Sequence, residues 1–274
     1  MNAKSLNPSI DIPTLVAISV VAYALVIIGH EVIGHGGVCL LVGGELRAVT
    51  STDLYCSFTN AIEWKYKLMV AGGPLVNFLS VVLSLALIYN WKRNLHITYF
   101  LWVFLNLNLF LASSYLIGSP LLGFGDWNSL VSDLPLSIVW RIILSLVGIG
   151  FSFWGIKISL NALAFRFRWA KNDSDNWIKL LSRVPPFTVG IISILMGLVS
   201  PLDTRWSMSL AVLSFVALLW MFNLYAWELP ASNENHLPEI SLKRNSFWLV
   251  GGAIAFIFLI AILAPGIGSF EGYN

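Results

Sequence analysis

The stretch Gly29–Gly37 reads GHEVIGHGG and lies inside a long apolar run from Thr14 to Val42. Two of the chain's four histidines and a glutamate fall within six of its residues. Ionisable side chains are costly inside an apolar segment, and where they occur they usually have a function. The stretch therefore predicts a long apolar helix with a polar site inside it.

The composition of the whole chain extends this interpretation. Of its 274 residues, 57% are hydrophobic and only 11% are charged, whereas soluble domains carry about 25% charged residues. So few charges cannot cover the surface of a soluble globule, which excludes a soluble enzyme, a disordered chain and a nucleic-acid binder. The composition predicts an integral, multi-pass protein of the cell membrane.

A bilayer core about 30 Å thick is crossed by ~20 apolar residues in a helix. Seven segments are candidates: Thr14–Val42, Leu68–Tyr89, Ile97–Ile117, Leu136–Leu160, Phe187–Leu202, Met208–Trp227 and Phe247–Ala264. The fifth is short and follows Pro185 and Pro186, so a re-entrant fifth segment would leave six crossing helices. Residues 43–67 are rich in strand-forming residues and predict a short β-hairpin. The predicted fold class is an all-α polytopic membrane protein with about seven transmembrane helices and this hairpin between the first two.

The spacing of the polar residues suggests a metal site. Two neutral imidazoles, His30 and His35, are suited to bind Zn²⁺, and the adjacent Glu31 is suited to deprotonate a zinc-bound water. The familiar zinc-peptidase pattern HExxH places its histidines four residues apart on one helix face. Here the pattern is HExxxH, and in a regular α-helix the two imidazoles would point about 140° apart. A shared metal therefore predicts a π-bulge or an unwound turn near Val32 to Gly34.

Two later segments return to the same end of the predicted bundle. The second span carries Gly73-Pro74 and Asn77 in its first turns, and the third leads to Asp126. His30 lies 16 residues after Thr14, roughly 24 Å along a helix and thus near the far membrane boundary. Asp126 is suited to be a third, oxygen ligand of zinc.

These motifs resemble the site-2 protease family of intramembrane zinc metalloproteases, in a divergent form. The resemblance implies a three-helix metalloprotease core in residues 1–134, with zinc bound by His30, His35 and Asp126. It implies Glu31 as the general base and Asn77 as a second catalytic-site residue. Residues 135–274 add further transmembrane helices that resemble nothing in that family.

The predicted function is therefore that of a zinc metalloendopeptidase. It would hydrolyse peptide bonds of transmembrane protein substrates within the lipid bilayer, with Glu31 activating a zinc-bound water. One alternative is a transporter or channel in which the His/Glu/Asp cluster relays protons or metal ions. Another is a catalytically inactive, protease-like scaffold, which the unusual spacing keeps open.

The orientation in the membrane stays open at this level. Counted by predicted spans, ten basic residues fall on the side of the N-terminus and four on the other, which favours a cytoplasmic N-terminus. The resemblance implies instead a zinc site nearer the cytoplasmic face.

The two cysteines, Cys39 and Cys56, do not suggest a disulfide framework. The strand-rich segment Glu45–Thr59 is expected to pair with an extended substrate.

Overall fold

The computed structural model describes residues 9–59, 62–90, 94–166, 174–201 and 241–269. It is mostly helical. Its α-helices are α1 Ile12–Ile27, α2 Gly37–Leu41, α3 Glu63–Asn90, α4 Leu95–Leu122, α5 Gly125–Val131, α6 Ser137–Arg166, α7 Ser174–Val199 and α8 Ser246–Ile257. Two π-helices, π1 Ile28–Gly36 and π2 Phe258–Leu263, continue α1 and α8. The strands are β1 Ser9–Ile10, β2 Glu45–Val49, β3 Leu54–Ser57, β4 Ser241–Leu242 and β5 Ile267–Gly268.

Six of the described helical segments are long and apolar enough to cross a membrane: Ile12–Leu41, Glu63–Asn90, Leu95–Leu122, Ser137–Leu163, Leu180–Val199 and Ser246–Leu263. They correspond to six of the seven segments predicted from the sequence. The remaining one, Met208–Trp227, lies outside the described residues. The hairpin predicted between the first two spans is confirmed, because β2 and β3 pair antiparallel.

The fifth segment is longer than predicted, since α7 passes through Pro185 and Pro186. A proline inside a helix leaves the carbonyl four residues before it without its usual donor. Here the hydroxyl of Tyr99 donates to the carbonyl of Leu181 at 2.9 Å and takes the place of the amide that Pro185 lacks. A hydrogen bond from another helix therefore compensates for one that the proline removes.

Short strands mark the two ends of the bundle. β1, just before α1, pairs with β4, just before α8. At the opposite end β2 pairs with β3 and with β5, which follows π2. We call this opposite end, which holds the three-stranded sheet, the motif end. The helices α1 and α8 therefore run side by side in the same direction.

Helix α4 forms the centre of the bundle and packs against α1, α3 and α6. Its polar side chains are hydrogen-bonded within the core: Trp102 Nε1 donates to the Ser159 carbonyl at 3.1 Å, and Ser159 Oγ donates to Asn106 Oδ1 at 2.5 Å. Buried polar groups without such partners would be strongly destabilising in an apolar interior. These bonds hold α4 and α6 in register, and α4 delivers α5 to the site described below.

Cys39, fully buried near the end of α2, forms a disulfide with Cys56 on β3. This bridge is not predictable from the sequence, because two cysteines 17 residues apart carry no pairing signal of their own. The pairing arises because β2 folds back from α2 and brings β3 against it. The hairpin is thus tied covalently to the helix that carries the histidines.

Candidate metal centre

The helix that carries the motif departs from α geometry where the spacing predicts it should. Residues Ile28–Gly36 form a π-helix, and both flanking residues keep right-handed helical angles. In a π-helix the hydrogen bonds join residues five apart, which is the separation of His30 and His35. The prediction of a π-bulge between the histidines is confirmed, and the distortion is longer than the three residues expected.

The two imidazoles and Asp126 meet at one point. His30 Nε2 lies 3.2 Å from His35 Nε2, and Asp126 Oδ2 lies 3.2 Å from the former and 3.5 Å from the latter. In a tetrahedral zinc site with bonds of about 2.0–2.1 Å, neighbouring ligand atoms stand about 3.4 Å apart. The three atoms therefore have the separations of three vertices of such a site.

Hydrogen bonds orient both imidazoles. His35 Nδ1 lies 2.9 Å from the carbonyl oxygen of Met69. Because a carbonyl only accepts, Nδ1 carries a proton, and in the neutral ring this tautomer leaves the lone pair on Nε2. Asn77 Nδ2 lies 3.0 Å from His30 Nδ1. Rotating this amide by 180° would bring its oxygen, a buried atom without a partner among the described residues, against a protonated Nδ1. Partners of this kind fix the ring orientation of metal-binding histidines.

Two glycines, Gly73 of α3 and Gly34 of π1, allow the site to form. A Cβ on Gly73 would lie 2.5 Å from His35 Nε2 and 2.7 Å from His30 Nε2. A Cβ on Gly34 would lie 2.6 Å from the Gly73 Cα, so π1 and α3 touch backbone to backbone. The structure places Gly73 directly beneath both imidazoles.

Asp126 reaches the site through a sharp reversal after α4. Gly123 and Gly125 have φ of 77° and 76°, which L-residues with a side chain rarely adopt. Ser119 Oγ donates to the Phe124 carbonyl at 2.6 Å and accepts from the Asn128 amide at 3.0 Å. Burial raises the pKa of the Asp126 carboxyl, but the facing imidazoles lower it more, and the result is a pKa well below its usual range.

Glu31 lines the same cavity, which has a volume of about 380 Å³. Its side chain is buried, and among the described residues no group donates a hydrogen bond to Oε2. A carboxylate with a vacant lone pair beside three atoms that could hold a metal ion is placed to accept a proton from water. The structure thus brings all five residues predicted from the sequence together, with Asn77 behind His30 rather than in the cavity wall.

Other parts of the cavity were not predicted. Tyr115 of α4 contributes a wall, with its ring centroid 6.2 Å from that of His30. Residues 52–56 of the hairpin form the side towards the motif end. A backbone carbonyl such as that of Met69 has no sequence signal, and Tyr115 is one of several aromatic residues in an apolar helix.

Comparisons with models of known families, with characterised proteins and with solved structures each find no match.

Deletion of Ile33 tests the role of the π-helix. The side chain of Ile33 is 61% exposed, and its removal leaves the histidines four residues apart, on one face of a regular α-helix. We expect the deletion variant to fold and to bind zinc within about tenfold of the parent affinity. The loss should be smaller than the roughly 10–100-fold decrease in affinity that follows when the partners of metal ligands are removed. Insertion of one alanine after Ile33 is the matched control and should abolish binding. Loss of zinc from a folded deletion variant would contradict the π-helix interpretation.

Proposed function

We propose that this chain is an integral membrane zinc metalloendopeptidase that hydrolyses peptide bonds of membrane proteins. The six long apolar helices support the membrane assignment. The observation that carries the catalytic assignment is the convergence of His30, His35 and Asp126 within 3.5 Å of one another, beside the buried carboxylate of Glu31.

The donor set fits zinc. Two imidazole nitrogens and one carboxylate oxygen are common zinc ligands, and a catalytic site keeps the fourth position open. When bound, zinc would supply Lewis acidity to a scissile carbonyl and to a nucleophilic water. Glu31 would accept the proton of the attacking water and later pass it to the leaving amine. Met69 and Asn77 would hold the imidazoles in the orientation that ligation needs.

The resemblance to the site-2 protease family supports the same proposal. It rests on His30-Glu31 with His35, on Gly73-Pro74 with Asn77, and on Asp126 after the third span. The five polar side chains lie around one cavity or against its ligands, as a peptidase of that family would require. The motif has three residues between Glu31 and His35, where the family has two. The π-helix π1 accommodates the additional residue.

Substrate handling is proposed to involve the hairpin. In the described part of the sheet, the order of the strands is β3-β2-β5, so β2 is central and β3 is the strand that lines the cavity. A substrate helix must unwind before its backbone is cut, and its freed backbone groups must find partners in an apolar environment. Pairing of an extended substrate with the hairpin stays a prediction.

Metal analysis of the purified full chain tests the proposal. We expect about one zinc ion per chain, as in a mononuclear catalytic site, and its loss in His35→Ala and in Asp126→Ala. His96→Ala is the matched control, because His96 Nε2 is hydrogen-bonded to the Lys243 carbonyl at the opposite end of the bundle. Weakly held, exchangeable metal, or none, would favour the relay or the inactive scaffold instead.

A further inference from the structure

The Cys39–Cys56 disulfide lies at the metal centre. Cys39 is four residues after His35 and fully buried, and Cys56 belongs to the strand that lines the cavity. Among the described residues there are no free cysteines. Structural disulfides form and persist in oxidising compartments and are rare where thiols are kept reduced. This bridge therefore carries information about the compartment that the motif end faces.

The distribution of basic residues gives an independent indication of the orientation in the membrane. With β1 and β4 at one end and the hairpin at the other, the counted basic residues that fall among the described residues are five at the end opposite the metal centre, Arg166, Lys179, Arg183, Lys243 and Arg244, and three at the motif end, Arg47, Lys65 and Lys67. Basic residues accumulate on the cytoplasmic side of a membrane protein.

The cavity belongs to the same end as the bridge. Hairpin residues from Thr52 to Cys56 form part of its wall, and the side chains of His30 and Asp126 keep 14% and 16% of their surface accessible. The metal-ligating atoms are thus reached past the hairpin, and the compartment of the hairpin is the compartment that supplies water.

We infer that the motif end, with its intact Cys39–Cys56 bridge, faces the oxidising, non-cytoplasmic side of the membrane. The substrates are then membrane proteins cut at the end of a span that emerges on that side. The statement about substrates rests on the proposed peptidase function, whereas the orientation does not.

Cysteine labelling of the full chain in intact bacterial cells tests the orientation. Glu63→Cys places a thiol at an exposed position of the motif end, and Arg244→Cys places one at the other end. With a membrane-impermeant maleimide, we expect Glu63→Cys to react in intact cells and Arg244→Cys only after permeabilisation. The parent chain should react only after reduction, because its two cysteines are bonded to each other.

Every other pattern contradicts the inference. Labelling of Arg244→Cys in intact cells would show that the protein has the opposite orientation or both orientations. Absence of labelling of Glu63→Cys would show that the motif end faces the cytoplasm. Reaction of the parent chain with the maleimide in the absence of reductant would show that the bridge is not formed.

In a separate experiment, new termini present with the parent and absent with Glu31→Gln should map to the non-cytoplasmic ends of substrate spans. Absence of such termini with the expected labelling would refute the peptidase and leave the orientation standing, and termini at cytoplasmic ends would refute the substrate assignment alone.

Discussion

Glu31→Gln is expected to lower peptide-bond hydrolysis by about 100- to 10,000-fold, the usual contribution of a general acid–base group. The amide is nearly isosteric with the carboxylate and cannot take a proton from water at neutral pH. Glu31 is not among the three ligating residues, so the variant should still hold about one zinc ion per chain, as a mononuclear site does. The measurement pairs cleavage of a co-expressed membrane substrate with zinc analysis of the purified chain.

Glu63→Gln provides the control for this experiment. Glu63 lies at the same end of the bundle, 70% exposed and paired with Lys67, so the substitution removes one acidic charge near the site without touching the cavity. We expect parental cleavage from this variant. Undiminished cleavage by Glu31→Gln would rule out Glu31 as the general base, even if the zinc assignment held.

Gly73→Ala is expected to weaken zinc binding by about 100-fold or more. This matches or exceeds the largest loss of metal affinity that is typical when the partners of metal ligands are removed. The added methyl group would lie 2.5 Å from His35 Nε2 and 2.7 Å from His30 Nε2, where neither imidazole could keep its position. Helix propensity favours alanine over glycine, so the loss would come from the site and not from α3. Zinc titration of the purified variant measures the effect.

Gly37→Ala is the matched control, because a Cβ at that position would meet no atom within 4 Å. It lies in the same helical segment as the histidines, two residues after His35, and should bind zinc like the parent. If Gly73→Ala binds zinc with parental affinity, the two imidazoles do not share a metal in the arrangement described.

Much of the site could be predicted because ionisable groups in an apolar chain are few. His30, Glu31 and His35 stand out for that reason, and their spacing made the π-helix a physical requirement for a shared metal. The convergence of Asp126 followed from counting spans, because the third helix has to end where the first one ends.

Other features have no local signature. The position of Gly73 beneath both imidazoles depends on how α3 crosses π1, which is a tertiary contact between backbones. The Cys39–Cys56 bridge depends on the fold-back of the hairpin. The length of α7 was underestimated because Pro185 normally ends a helix, whereas the donor that compensates for it, Tyr99, is remote in sequence.

The π-helix also bears on how such a site can arise. A single codon inserted between Glu31 and His35 of an ancestral HExxH helix would rotate everything downstream by about 100° if the helix stayed regular. Widening of the turns over Ile28–Gly36 absorbs that rotation, so Gly34 still meets Gly73 and the second histidine still faces the first. One additional residue in the motif and the meeting of its side chains are therefore compatible in the same helix. The wider turn thus keeps three ligand atoms together across one additional residue of spacing.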